Sequence, residues 1–370
     1  MKDIALKLIN KITDAGFDAY IVGGFVRDYL LGIESNDVDV NTNATPKDLL
    51  SIFKDSISPQ EDYGSVTVIY NNIRFEITTF RKETGYLDNR RPEKIEYIND
   101  LYEDIVRRDF TINSLCMDKD GNIIDLLNVR DDIDKKIVKA IGNPIDRFRE
   151  DSLRILRAVR FSVTLEFELD KELIKAIKEC SYLLKDLSYY RKKDELDKIF
   201  TCKNSLNGIK LLIDLGLDKV LELDNLDKVK CTNSLIGVWA VLNVWDRYPF
   251  TNNEKALMKD INTVMERNNL DPMTLYKYGL YVNSVAGEMK DLDIKKITES
   301  YDNLIIKTRK DIDITSDDII SITNKKPGPY INEIYNELEE EILYRRLNNE
   351  RVDIIKYIED KWVWLDEGYY

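Results

Sequence analysis

Two short segments near the start of the chain combine residue types that bind phosphates and cations. Gly23 and Gly24 follow the apolar segment AYIV and precede FVRDYLLG, which predicts a strand, a glycine turn and a helix. Such a turn lets backbone N–H groups approach a phosphate closely at the start of a helix. Asp37 and Asp39 lie two residues apart in NDVDVNT, so on a strand both would project from one face. Two carboxylates so placed can hold two magnesium ions for in-line phosphoryl transfer, and Glu76 is a further candidate that is equally well explained as an exposed strand residue.

Two other charged segments add to this chemistry. Arg108 and Asp109 lie in RRDFTIN and could hold a triphosphate and a ribose hydroxyl, although RRD alone is typical of a surface ion pair. Glu150 and Asp151 precede Arg154 by four and three residues, so the three would share one helix face. An aspartate that accepts from an exocyclic amine, beside an arginine that donates to a ring nitrogen, would match cytosine and adenine and reject uracil and guanine. An ordinary helix salt bridge is the alternative for this spacing.

The elements that must position these residues change character along the chain. Up to about residue 125, helix and strand patterns alternate, with a hairpin predicted at Asn71-Asn72, which indicates a small α/β domain. Within it, RKETGYLDNRRPEKIEY has no clear periodicity and predicts a mobile loop. From about residue 130, apolar residues recur at spacings of three and four, as in the predicted helix REDSLRILRAVRFSVTL. The remainder is therefore expected to be almost entirely helical.

Composition excludes several classes of function. The chain of 370 residues has no histidine, which rules out Ser-His-Asp and Cys-His catalysis and histidine metal sites. No run of 18 apolar residues is present and the start lacks the features of a signal peptide, so we expect no membrane span and no secretion. Four scattered cysteines match no zinc or disulfide spacing and predict free thiols in a reducing, cytoplasmic compartment.

The net charge of −13 argues against nucleic-acid binding, because phosphate contacts need lysine and arginine. Net charge is a sum over the whole chain, however, and a local basic groove on an acidic body remains compatible with it. Basic residues do cluster, in 147–160, in 191–193 and at 325–326. These clusters could line a surface for RNA, or could be solvated helix faces.

Five segments together resemble the class II tRNA nucleotidyltransferase and bacterial poly(A) polymerase family. They are GGFVRD, DVD, RRDFTIN, REDSLRILRAVRF and YRKKDELDKIF, and they span roughly residues 18–200. The resemblance implies a polymerase-beta-like α/β nucleotidyltransferase head followed by an all-α neck, body and tail in an elongated, seahorse-like arrangement. We accordingly expect a head over 1–125, a neck over 126–190, a body over 191–300 and a tail over 301–370. Enzymes of this family extend RNA 3′ ends without a nucleic-acid template.

The resemblance also implies a role for each matched residue. The residues with an implied role are the metal ligands Asp37 and Asp39; the triphosphate and ribose contacts Gly23, Gly24, Arg27, Arg108 and Asp109; and the base-reading set Glu150, Asp151 and Arg154, with Arg157 supporting the nucleotide or its phosphates. Two Mg²⁺ ions would be the cofactors. ATP and CTP would be the substrates.

Two positions depart from the family pattern. The segment YRKKDELDKIF normally opens with Glu-Arg and here has Tyr190-Arg191, which puts its contacts to the base-reading helix in doubt. The family usually has a Gly-Gly after Asp125, at the hinge between head and neck, and this chain has Asn128-Val129 there. Asparagine tolerates a left-handed turn and valine does not, so hinge motion would be stiffer or would use another residue.

The implied activity is addition of CCA to tRNA 3′ ends from CTP and ATP, with release of pyrophosphate and with the tRNA 3′ end and acceptor stem as partner. FRKETGYLDNRRPE resembles the flexible loop of enzymes that add the terminal A, which disfavours an enzyme that adds only CC. Addition of A alone and poly(A) tailing remain alternatives. A different class, an inactive RNA-binding protein on the same fold, would require the matched carboxylates and arginines to serve no catalysis.

Overall fold

A computed structural model describes residues 1–53, 56–60, 64–87 and 91–363 of the 370-residue chain. It comprises two compact units, Met1–Asp224 and Asn225–Tyr370. The first unit combines a mixed sheet with helices, and the described part of the second is helical. No helix among the described residues is both long and apolar enough to cross a membrane. The predicted change from α/β to helical structure is confirmed, while the division into four domains stays a prediction.

Eleven strands lie in the described part of the first unit. They are β1 (Ala19–Val22), β2 (Asp39–Thr42), β3 (Ser56–Gln60), β4 (Ser65–Tyr70), β5 (Ile73–Thr79), β6 (Arg81–Leu87), β7 (Arg91–Tyr97), β8 (Cys116–Met117), β9 (Ile123–Ile124), β10 (Ile137–Val138) and β11 (Glu168–Leu169). Seven of them form one sheet in the order β3-β4-β5-β2-β1-β8-β9. The β2–β5 pair is parallel and its other pairs are antiparallel, so the sheet is mixed.

The register of the central strands brings acidic residues together. Asp39, the first residue of β2, is exposed, whereas Val38 before it and Val40 after it are buried. Asp39 pairs with Glu76 of β5 on one side and with Val22 of β1 on the other. The β4–β5 hairpin turns at residues 71–72, where both asparagines have positive φ (50° and 61°), as this type of two-residue turn requires. The predicted hairpin is thereby confirmed.

The segment predicted as a mobile loop contains a second hairpin instead. Strands β6 and β7 pair antiparallel from Arg81↔Tyr97 to Leu87↔Arg91 and form a sheet of their own. The prediction of a loop was wrong because these strands consist mostly of polar residues, and no alternation of apolar residues marks them. Residues 88–90 of the segment lie outside the described residues.

Eleven α-helices complete the described part of the first unit. They are α1 (Lys2–Asp14), α2 (Gly24–Leu31), α3 (Pro46–Ile52), α4 (Leu101–Val106), α5 (Arg130–Asp134), α6 (Pro144–Glu150), α7 (Leu153–Leu165), α8 (Lys171–Cys180), α9 (Tyr189–Thr201), α10 (Ser205–Asp214) and α11 (Leu217–Val220). Capping residues mark the ends of some of these helices. Thr45 and Asp48 form a capping box at the start of α3, and Gly32 ends α2 in the left-handed conformation (φ 69°).

Two junctions in this unit bear on the predictions. The helix expected through REDSLRILRAVRFSVTL is broken, because α6 ends at Glu150, Asp151 is extended (φ −144°, ψ 105°) and α7 begins at Leu153. At the hinge position, Asn128 adopts the left-handed conformation (φ 55°) and Val129 does not (φ −113°). Asparagine therefore takes the left-handed position, and valine keeps a negative φ.

Seven α-helices lie in the described part of the second unit. They are α12 (Leu235–Leu242), α13 (Asn252–Met265), α14 (Pro272–Met289), α15 (Ile294–Asp302), α16 (Ser316–Thr323), α17 (Tyr330–Leu343) and α18 (Arg351–Ile358). Helix α14 is interrupted at Gly279 (φ 72°, ψ 173°). Isoleucines and leucines of α16, α17 and α18 bury a common apolar core that includes Ile319, Leu338 and Ile354.

Candidate active site

The first unit contains a polar cleft of about 820 Å³ whose walls come from the sheet, α2, α7 and the start of α9. Among the described residues that line it, eight are arginines and six are carboxylates. Arginines therefore outnumber carboxylates in the cleft, although the net charge of the chain is −13. The cleft is a local basic groove of the kind that an acidic net charge does not exclude. All the predicted site residues except Glu150 line this cleft: Gly23, Gly24, Arg27, Asp37, Asp39, Arg108, Asp109, Asp151, Arg154 and Arg157.

The glycine turn forms one wall. Gly23 has φ 73°, a conformation that residues with side chains rarely adopt, and lies between β1 and α2. A Cβ at Gly23 would lie 3.8 Å from both Arg108 Nη1 and Asp39 Oδ2, and one at Gly24 would lie 3.4 Å from Arg27 Nη2. The two glycines thus keep the backbone close to two guanidinium groups and to a carboxylate. This gives a bound phosphate room beside the N-terminus of α2.

The acidic corner of the cleft is built on β2. Asp39 begins the strand, whereas Asp37 precedes it, so the prediction that both lie on the strand was wrong. Both are nevertheless exposed toward the cleft, because Val38 between them is buried. Burial in the cleft wall and the charges of Asp37 and Glu76 raise the pKa of Asp39 to about 6, against the opposing charge of Arg108.

This corner fits a bound divalent cation. Asp39 lies beside Asp37 and Glu76, whose charges add to the effect of burial on its pKa, and a bound cation would offset that repulsion. Oxygen ligands of this kind suit magnesium. Among the described residues, no group of three or more acidic or cysteine side chains is arranged to hold a metal by itself. The set is therefore one in which a pair of carboxylates would share the ion with substrate phosphates, as magnesium sites commonly do.

A buried carboxylate that sequence reasoning missed lies behind the arginines. Asp104 of α4 is fully buried and forms ion pairs with Arg107 and Arg108, at 2.7 and 3.2 Å. Burial opposes its ionisation, but the charges and hydrogen bonds of the two arginines lower its pKa. In the sequence, Asp104 precedes Arg107 and Arg108 by three and four residues, the spacing of a helix-surface ion pair, and nothing in that spacing shows the burial.

Asp109 is buried and its hydrogen-bonding capacity is fully used. Oδ1 accepts from the Phe110 backbone N–H at 2.8 Å and from Asn113 Nδ2 at 3.2 Å. Oδ2 accepts from Arg157 Nε at 2.8 Å and Nη2 at 2.5 Å. Burial works against ionisation, but the Arg157 charge and these hydrogen bonds bring the pKa of Asp109 down to about 2. A ribose hydroxyl would reach this carboxylate only by sharing or displacing Arg157.

An aromatic ring gathers three arginines of the cleft. Phe161 is 6% exposed, and the guanidinium carbons of Arg160, Arg157 and Arg27 lie 4.2, 5.3 and 5.4 Å from its ring centre. Cations at such distances are attracted to the ring face. Arg27 belongs to α2 and the other two to α7, so Phe161 connects the glycine turn with the helical side of the cleft. Sequence reasoning missed it, because a phenylalanine at helical spacing normally indicates core packing.

The predicted base-reading set is divided between the cleft and its support. Glu150 does not line the cleft, but its Oε2 accepts from Arg154 Nη1 at 2.7 Å and pairs with Arg147 at 2.9 Å. Arg154 Nη2 also donates to the Arg107 carbonyl at 2.9 Å. These contacts fix the Arg154 guanidinium at the cleft wall, so Glu150 orients the arginine and does not face the cleft itself.

Asp151 is held by α9, the helix that contains YRKKDELDKIF. Both of its carboxylate oxygens lie 3.2 Å from Nη2 of Arg191, in the first turn of α9. Its Oδ1 also accepts from the Leu153 backbone N–H at 3.1 Å, which marks the start of α7. The contact between YRKKDELDKIF and the base-reading segment is therefore present, although Tyr190 replaces the usual glutamate.

Comparison with known families agrees with this geometry. The pattern of the Poly A polymerase head domain matches residues 19–139, which include the glycine turn, the acidic corner and the RRD segment. A second pattern, the probable RNA and SrmB-binding site of polymerase A, matches residues 166–226, and tRNA nucleotidyltransferase domain 2 (putative) matches residues 246–358. The head, its cleft and these matches define the class of the protein, a nucleotidyltransferase with a polymerase-beta-like head.

Individual relatives narrow the class to one family. The CCA-adding enzyme of Ligilactobacillus salivarius is 34% identical over 96% of this chain and 97% of its own length. That of Lactococcus lactis subsp. cremoris is 35% identical over 95% of this chain and 94% of its own. The structure of the Bacillus stearothermophilus CCA-adding enzyme in complex with CTP covers 99% of both chains with a TM-score of 0.85 and 26% identity. The chain belongs to the family of CCA-adding enzymes.

Proposed function

We propose that the protein adds CCA to the 3′ end of tRNA, using CTP and ATP and releasing pyrophosphate. The observation that carries the proposal is that Asp151 and Arg154 line the same cleft as Asp39. A base-reading pair and a cation-binding carboxylate would thus serve one bound nucleotide. Full-length relatives that are CCA-adding enzymes support the same conclusion.

The side chains divide the work of binding. Arg27 and Arg108 would contact the triphosphate beside the glycine turn, since guanidinium groups match phosphate oxygens in pairs. Asp109 would accept from the ribose 2′-hydroxyl once Arg157 shares that carboxylate. Asp151 would accept from the exocyclic amine of cytosine or adenine while Arg154 donates to the neighbouring ring nitrogen.

Asp37 and Asp39 would hold magnesium at the acidic corner. When bound there, magnesium would supply Lewis-acid chemistry, activating the RNA 3′-hydroxyl and neutralising charge on the triphosphate. The two aspartates would orient the ion against the phosphates that Arg27 and Arg108 bind. They must be ionised to do so, which the raised pKa of Asp39 makes dependent on pH.

The test uses three tRNA transcripts, ending before CCA, after the first C and after CC, each with single nucleotides and with all four. We expect CCA completion on every transcript, followed by a stop. Extension of only the CC-ended transcript would assign addition of A alone, and long A runs would assign poly(A) tailing. No addition by the wild type in the presence of magnesium would refute the proposal and favour an inactive RNA-binding protein.

The remaining expectations concern partners and location. We propose the tRNA 3′ end and acceptor stem as the macromolecular partner. The solved structure of the Thermotoga maritima CCA-adding enzyme with tRNA has the same fold (TM-score 0.71, 19% identity, covering 96% of this chain and 94% of that one). A cytoplasmic location is proposed on the grounds that tRNA is the substrate and that all four cysteines are free thiols.

A further inference from the structure

We propose that Asp104 is a positioning residue that sets the orientation of Arg108 in the cleft. The inference rests on the proposed function, because the ligand that Arg108 would meet is the triphosphate of CTP or ATP. Asp104 does not line the cleft. It would act on the nucleotide through Arg108.

Asp104 joins three separate parts of the cleft wall. Its Oδ2 accepts from Arg108 Nη2 at 3.2 Å and from Asn41 Nδ2 in β2 at 2.7 Å. Its Oδ1 accepts from Arg107 Nη2 at 2.7 Å and from the backbone N–H of Arg81, the first residue of the β6–β7 hairpin, at 3.3 Å. The carboxylate is fully buried, so no water competes for these donors. A buried charge with this many donors fixes each of them in place.

Arg108 connects this buried group to the open cleft. Its Nη2 faces Asp104, while its Nη1 lies 3.8 Å from the position that a Gly23 Cβ would occupy. Asp39 Oδ2 lies at the same distance from that position. Arg108 Nε is buried and has no hydrogen-bond partner among the residues that the structure describes. The Arg108 guanidinium therefore extends from the buried Asp104 carboxylate to the glycine turn, and its Nε–H is not used by either.

The charge of Asp104 also decides where Arg108 goes when no ligand is bound. Within the described part of the chain, Asp104 is the one ion-pair partner of Arg108. On the side of the glycine turn, the Arg108 charge acts on Asp39 of the acidic corner, and both groups lie 3.8 Å from the same Gly23 Cβ position. Without the Asp104 charge, Arg108 would be drawn toward that corner, where it would compete with a cation and leave the triphosphate site.

The experiment is a double-mutant cycle with Asp104→Asn, Arg108→Ala and the combined variant. For each variant, we would measure equilibrium binding of CTP without metal. We would also measure KM for CTP and kcat on the tRNA transcript that ends before CCA. We expect Asp104→Asn to weaken CTP binding and raise KM by about tenfold, with a smaller change in kcat. In the Arg108→Ala background, Asp104→Asn should add little, because its effect passes through the arginine.

A matched control separates positioning from general stabilisation. Glu339 is also a buried carboxylate (9% exposed) paired with an arginine (Arg309, 2.6 Å), but it belongs to the second unit and not to the cleft. Glu339→Gln should lower the melting temperature without moving KM for CTP. Additive losses in the Asp104/Arg108 cycle, or an unchanged KM in Asp104→Asn, would overturn the positioning role.

A second variant decides the matter if Asp104→Asn does not fold. Arg108→Lys retains the charge but has a single cationic head, which cannot face Asp104 and the glycine turn together. We expect it to lose nearly as much CTP affinity as Arg108→Ala, and recovery by lysine would overturn the proposal. A wild type that binds CTP but adds no nucleotide would refute the proposed function alone, since the binding cycle still tests Asp104. A wild type that fails to bind CTP would overturn both.

Discussion

Replacing Asp39 by asparagine is expected to stabilise the fold while it abolishes activity. In the folded protein, burial in the cleft wall and the neighbouring charges of Asp37 and Glu76 disfavour the ionised carboxylate. Asparagine has almost the same shape and carries no charge. The variant therefore removes the repulsion together with the proposed cation ligand, as expected where a site is built for function at the expense of stability.

The size and sign of the effect follow from the pKa. A rise from 3.8 to about 6 corresponds to at most about 3 kcal/mol of destabilisation by the ionised form. Protein atoms crowd around Asp39, but its side chain is in contact with water in the open cleft, so solvent screening reduces this to about 1 kcal/mol. The folded-state pKa lies above the unfolded one, so this penalty is absent below about pH 4 and develops as the pH rises through 6. At pH 8 the variant should melt roughly 3 °C higher than the wild type.

The assay is thermal unfolding of wild type and Asp39→Asn, in the presence of a chelator, at pH 8 and pH 5. The gain should be largest at pH 8 and should shrink at pH 5, where wild-type Asp39 is mostly protonated. Asp118→Asn is the matched control, and it should lower stability. The Asp118 carboxylate accepts backbone N–H hydrogen bonds from Asp120 and Asn122 at 2.9 and 2.8 Å, which favour its ionised form. Equal or lower stability of Asp39→Asn at pH 8 would refute the reasoning.

Substitutions at three further positions test other parts of the structure. Gly23→Ala places a side chain at φ 73° and should cost about 1–2 kcal/mol in thermal unfolding while weakening CTP binding; unchanged stability would contradict the assigned turn. Asn128→Val should destabilise by a similar 1–2 kcal/mol in denaturant unfolding while Asn128→Gly does not, because residue 128 is left-handed; equal midpoints for the two would speak against that strain. Arg191→Ala removes the cation that holds Asp151 and should raise misincorporation of UTP and GTP in single-nucleotide extension, with Arg191→Lys intermediate; unaltered selectivity in the alanine variant would remove Arg191 from base reading.

Local chemistry made a large part of the fold predictable. The hairpin at Asn71-Asn72 follows from two residues that accept positive φ, and the turn at Gly23 follows from a glycine between a strand and a helix. Residues carried over from the family resemblance also converge, since Asp39 and Arg154 line one cleft although 115 positions separate them in the sequence. Segment motifs specify such a site because each one contains its own turn or helix start.

What could not be predicted depends on contacts between distant segments. Asp104 has the spacing of a surface ion pair, and its complete burial arises because Asn41 and the β6–β7 hairpin close over it. The break at Asp151 contradicts the apolar periodicity, which continues through it; the carboxylate is instead held by Arg191, 40 residues later. Periodicity reports one face of one element and carries no information on what packs against it.

The composition of the cleft has a consequence for chemical modification. Every cationic side chain among the described residues that line it is arginine, and none is lysine. Guanidinium groups stay protonated throughout the pH range around neutrality, whereas amines titrate more readily and are acylated. Acetylation or an amine-reactive label would therefore alter the outer surface, where lysines are plentiful, and leave the charge of the nucleotide cleft unchanged. Reagents specific for guanidinium groups would reach the cleft as well as exposed arginines such as Arg345, and bound nucleotide would protect the cleft against them.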